Sequence, residues 1–65
     1  MKKFTVYTSE YCPSQFEHLH GLAFKTEKEV VAAFKTNIQN IMYDGDSEFR
    51  VHDNQGEELA LVIIN

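Results

Sequence analysis

Between Thr26 and Met42 the apolar residues recur at helical spacing. At ~100° per residue, Val30, Phe34, Ile38 and Ile41, with Val31 and Met42, fall within an arc of about 120°. Lys28, Glu29, Ala32, Lys35, Thr36, Gln39 and Asn40 form the opposite, solvated face. Thr26 suits an N-cap, and Glu29 three residues on completes a capping box. Glu27 and Glu29 also sit well against the positive end of a helix dipole. Gly45, in Tyr43-Asp44-Gly45, can adopt the left-handed conformation that stops a helix. The pattern predicts one amphipathic helix over 26–42, its stripe turned to a core.

The rest of the chain alternates instead. Lys3 to Thr8 places Phe4 and Val6 on one side and Thr5 and Tyr7 on the other, which reads as a strand. Ser9 to Gln15, with the chain's one proline, reads as a loop. In Phe16 to Phe24, His18, His20, Leu22 and Phe24 share a parity, which predicts a second strand with a bulge at Gly21. A helical start at Ser14 is the alternative. Asp44-Gly45-Asp46 predicts a turn. Ser47 to His52 puts Phe49 and Val51 inward and Glu48, Arg50 and His52 outward. Asp53-Asn54-Gln55-Gly56 is a hairpin turn leading into a last strand over 57–64.

That last strand is apolar on both sides: Leu59, Leu61 and Ile63 alternate with Ala60, Val62 and Ile64. Such a strand expects cover on both faces, yet one helix covers one face. The expected fold is a single α+β domain over 1–65, with an antiparallel sheet of about four strands in ββαββ order and the helix on one side. The other side, expected to carry Val62 and Ile64, is left for the Ser9–Gln15 loop, a second copy or a partner protein.

Composition narrows the occupation. Sixty-five residues bury only ~60% of the surface the unfolded chain exposes, leaving little stability for a deep cleft. An apolar fraction of 43% supports a real core. A single cysteine rules out an internal disulfide and fits a reducing compartment. The segment after Met1-Lys2-Lys3 is too polar for a signal-peptide core, and the longest apolar run, 59–64, is far short of a membrane span. The expected setting is cytoplasmic and free of membrane. Residues 1–43 hold five Lys against four Glu, whereas residues 44–65 hold six carboxylates against Arg50 alone. An acidic C-terminal half argues against direct nucleic-acid binding and suits a basic protein surface.

Candidate chemistry is sparse. The opening K-F-T-V-Y-T-S-E-Y-C-P-S-Q resembles the first strand and active-site turn of glutaredoxins over roughly the first 15 residues. The resemblance implies that Cys12 matches the nucleophilic cysteine and Pro13 the proline after it. Gln15 replaces the resolving cysteine, and no later proline is present to face the thiol. Cys12, His18 and His20, with His52, are candidate zinc ligands, although C-x5-H-x-H fits no standard structural zinc spacing. Asp44, Asp46 and Glu48 have the start of a calcium-loop spacing, but Phe49 stands where glycine is needed and Gln55 where glutamate is needed.

The leading expectation is therefore a non-enzymatic protein-binding module with no cofactor, metal or catalytic residue. By analogy of size and charge, it is compared with the small acidic inhibitors that phages and mobile elements direct at host or defence complexes. Its expected contacts are Asp44, Asp46, Glu48, Asp53, Glu57 and Glu58, with Tyr7 and Tyr11 as aromatic anchors. A metal- or thiol-dependent domain built on Cys12, His18 and His20 is the second reading. A homodimer covering its sheet with a second copy is the third.

Overall fold

The helix starts where the capping box places it and stops much sooner. A computed structural model describes residues 2–35, 38 and 40–65. Within them α1 spans Glu27–Ala33. The Thr26 hydroxyl accepts from the Glu29 N–H at 3.1 Å, and the Glu29 carboxylate accepts from the N–H groups of Lys25 and Thr26 at 2.8 and 3.3 Å. Phe34 is the C-cap, and Lys35 follows at φ 60°, a left-handed turn that ends the helical path. Asn40–Tyr43 is a strand, β3, although residues 40–42 are predicted to end the helix and Tyr43 to begin its stop. Thr36 and Gln39, assigned to the helix's solvated face, lie outside the described residues. The error has a physical cause. Ile41 faces the core in a strand as it would in a helix, so the apolar pattern satisfies both periods, and pairing with the next strand decides between them. Gly45, at φ 76°, turns the hairpin after β3 and does not cap a helix.

The second correction lies between the first strand and α1. β1 is Phe4–Thr8, but Ser14–Leu19 is a 3-10 helix, as the alternative start at Ser14 allowed. Phe16 and Leu19 are both buried. They are three residues apart, the repeat of a 3-10 turn, so the alternating reading failed. Gly21, at φ 82°, turns the chain and is not a bulge. Only Ala23–Phe24 is a strand, β2, pairing with Thr5 and Phe4 of β1. Gly21 and Leu22 extend that pairing through bonds to the Val6 carbonyl and N–H at 2.7 and 2.9 Å.

β4 (Glu48–His52) and β5 (Glu58–Ile64) complete a five-stranded antiparallel sheet in the order β2-β1-β5-β4-β3. The fold is thus α+β, with one strand more than expected. Register slips between Val51, opposite Ala60, and His52, opposite Glu58. Leu59 is the extra residue of this bulge. The bulge turns it into the core, where it is fully buried with Ala60 and Val62, and so removes it from the face of Leu61 and Ile63.

One side of the sheet therefore carries the core. Val6, Phe49, Val51, Leu59, Ala60 and Val62 pack beneath Val30 and Phe34 and beneath Phe16 and Leu19 of the 3-10 helix. Phe16 and Phe34 meet with ring centroids 5.3 Å apart, a separation favourable for aromatic pairs. The expectation that Val62 and Ile64 would mark the uncovered side is reversed. Val62 is fully buried and Ile64 packs against the core, while Leu61 and Ile63 take the other side.

Candidate functional site

Strand register assembles the open side of the sheet row by row. Met42, Arg50, Leu61 and Tyr7 lie side by side across β3, β4, β5 and β1. The neighbouring row runs Glu48, Ile63, Thr5 and Ala23, and the row beyond Arg50 runs Asn40, His52 and Glu58. Leu61 and Ile63 are half-buried, and Met42 and Tyr7 are exposed by 55% and 45%. Leu61 and Ile63 belong neither to the core cluster that includes Val30 and Phe34 of the helical segment nor to the partly buried residues packed against it.

Arg50 is the hub of this face. Its guanidinium contacts Asp44 at 2.5 Å, Glu58 at 3.2 Å and Glu48 at 3.5 Å. The Asp44 hydrogen bond, reinforced by the three negative charges, holds the guanidinium still more firmly protonated than usual. Three carboxylates around one cation leave the cluster with a net negative charge. These pairs are partly exposed and add little to stability; their effect is to fix where negative charge sits beside Leu61 and Met42.

The residues expected from sequence as partner contacts divide accordingly. Asp44, Glu48, Glu58 and Tyr7 are gathered here. Asp46 is exposed on the β3–β4 hairpin turn. Asp53 belongs to the other hairpin, where its Oδ1 accepts from the Gln55 and Glu57 N–H groups, each at 2.9 Å; that role is structural. Glu57 is exposed in the same turn. Tyr11, 63% exposed, lies in the loop after β1, which no strand register joins to this face. The loop is tied to β5 through Ser9, whose hydroxyl donates to the Glu58 carbonyl and whose N–H donates to Leu59. Sequence reasoning left Arg50, Leu61 and Met42 off the list of contacts. Arg50 is legible as an outward residue of β4, whereas the helical pattern assigns Met42 to the helix.

The cysteine and histidines are arranged otherwise than a metal or thiol site requires. Cys12 is buried, and burial, followed by the nearby Glu17 charge, pushes its thiol pKa up. A nucleophilic cysteine needs the opposite shift. His18 is exposed on the 3-10 helix and His20 follows that helix, so the two do not share a strand face as expected. The His20 Nδ1 accepts from the Thr8 N–H at 3.1 Å, and the Tyr7 ring packs edge-on at 5.9 Å. His52 Nδ1 is shielded and without a hydrogen-bond partner among the described residues. Among those residues no three His, Cys, Asp or Glu side chains gather in a group that could hold a metal ion.

At the far edge of the sheet, Lys2, Lys3 and Lys25 border a cleft of about 400 Å³ floored by Ala23 and Phe24. These three lysines lie at the β2 edge, while the Arg50 cluster lies on β4 and its neighbours. No described helix is long and apolar enough to cross a membrane. No family model matches the chain, and no curated protein or solved structure matches it either.

Proposed function

We propose that this chain is a non-enzymatic protein-binding module whose working surface is the open side of its sheet. The observation that carries the reading is the juxtaposition of half-buried Leu61 and Ile63 and exposed Met42 and Tyr7 with an Arg50 cluster of net negative charge. Tyr, Met and Arg are residues enriched at protein interfaces, and here Tyr7, Met42 and Arg50 stand in one row with Leu61. The surplus carboxylates select a partner that presents Lys or Arg around an apolar contact. Such a module acts by occupancy: it covers a surface that its target needs, as an inhibitor does, and requires no cofactor.

The test is parallel capture from native lysate with the wild-type chain, with Leu61→Lys and with Glu48→Gln/Glu58→Gln. A specific partner retained by wild type, lost with Leu61→Lys and held more weakly and with a shallower salt dependence by the double variant supports the reading. Equal retention by all three would place the working surface elsewhere.

A further inference from the structure

The outer edge of β3 has no strand beside it among the described residues. Edge strands are usually protected by Lys, Pro, a bulge or a covering element. Asn40-Ile41-Met42-Tyr43 carries neither Lys nor Pro, and its pairing with β4 runs without a register shift. Met42 and Tyr43 are exposed by 55% and 61%. The opposite edge, β2, is two residues long and flanked by Lys25, with Lys2 and Lys3 nearby, and so is poorly suited to pairing.

Hydrogen-bond phase shows what the β3 edge can accept. The Asp44 N–H donates to the Glu48 carbonyl at 3.0 Å. Antiparallel pairs alternate between hydrogen-bonded and non-hydrogen-bonded. Asp44, Met42 and Asn40 therefore direct their backbone groups toward β4, while Ile41 and Tyr43 direct theirs outward. We propose that two copies of this chain pair antiparallel through β3, forming a continuous ten-stranded sheet about a two-fold axis at Met42. In that register Ile41 of each copy bonds Tyr43 of the other, so every outward N–H and C=O of both residues is used. Asn40 falls opposite Asp44, and no like charges meet along the strand. The two Met42 side chains meet on the open face and join the rows of Met42, Arg50, Leu61 and Tyr7 into one surface.

Edge pairing replaces the face-to-face homodimer expected from sequence. Stacking two open faces would press the negative Arg50 clusters against one another, and like-charge juxtaposition opposes association. The edge register keeps them apart. It is also isologous, the commonest symmetry of homo-oligomers, and leaves the open face free, so it stands or falls independently of the partner reading above.

The experiment is sedimentation equilibrium over a concentration series, joined to cysteine cross-linking. The sedimenting mass of the wild-type chain should double from 7.5 kDa as concentration rises. Met42→Lys, which sets two cations against each other at the axis, should abolish the doubling. Leu61→Lys, on the open face away from β3, should leave it intact. In a Cys12→Ala background Met42→Cys should form a disulfide dimer under mild oxidation, because non-hydrogen-bonded pairs stand about 4.5 Å apart between Cα atoms. Asn40→Cys, opposite Asp44, should not. A mass of 7.5 kDa at every concentration, doubling that survives Met42→Lys, doubling abolished by Leu61→Lys, or equal cross-linking at positions 40 and 42 would each overturn the proposal.

Discussion

Asp53 shows how much of the fold depends on single polar side chains. Its carboxylate accepts two backbone N–H groups in the turn that aligns β4 with β5, and an aspartate in such a turn acts as a local template. Asp53→Ala should destabilise the domain by about 1–2 kcal/mol, the cost of losing charge-assisted bonds, measurable by urea unfolding. His52 is the reverse case. Its Nδ1 is shielded without a partner among the described residues, and an unmade hydrogen bond is a penalty. His52→Leu should leave the urea midpoint unchanged or raise it; a marked fall would mean that the ring has a bonding role. Cys12 gives a pH signature. Its folded pKa is raised above the ordinary value of 9.0, so the unfolded chain releases the thiol proton first as pH rises. Stability from this group is complete below pH 9.0 and falls through the range between the two values. Wild type should lose stability more steeply than Cys12→Val above that pH, and below it Cys12 should alkylate slowly in the native state.

At the scale of elements, what could be read from the chain was whatever one period determined alone. β1 with Val6 inward, β4 with Phe49 and Val51 inward, and the capping box at Thr26 follow directly from local pattern and chemistry. The failures fall where a pattern served two masters. Ile41 suits the inner side of either a helix or a strand, and the choice rests on the partner Val51 across the hairpin, outside the window in which the periodicity is read. Phe16 and Leu19 repeat at three, a spacing that alternation misses and that the alternative helical start at Ser14 allowed. The β5 bulge was hidden too, since nothing in Leu59-Ala60 marks which residue will be extra. Of the candidate site, the outward Glu48 and Arg50 were readable from β4, and the contribution of Met42 was lost with the misplaced helix end. Packing makes the element predictions testable. Phe49 is fully buried and touches the rings of Phe4 and Tyr43 at 6.3 and 5.6 Å. Phe49→Ala should cost about 3–5 kcal/mol, a large share of the ~3–10 kcal/mol available to a chain of this size, and should lower the urea midpoint sharply. Thr26→Ala, which removes one cap, should cost about 1 kcal/mol.

Taken whole, the molecule is a sheet with its core on one side and a carboxylate cluster around Arg50 on the other. The lysines at β2 and the carboxylates around Arg50 stand at different places across the five strands. A neutral surface would make association insensitive to salt; this one predicts partner affinity that weakens as ionic strength rises, with a smaller slope for Glu57→Lys/Glu58→Lys. The partner-binding proposal depends on Leu61 and Ile63 meeting solvent while their neighbours on β5 do not. Solvent paramagnetic relaxation of methyl-labelled protein reads that difference residue by residue. The account predicts strong broadening of the Leu61 and Ile63 methyls by a soluble paramagnet and protection of Leu59, Ala60 and Val62 on the same strand. Equal protection of all five would contradict it, because the sheet would then have no open side.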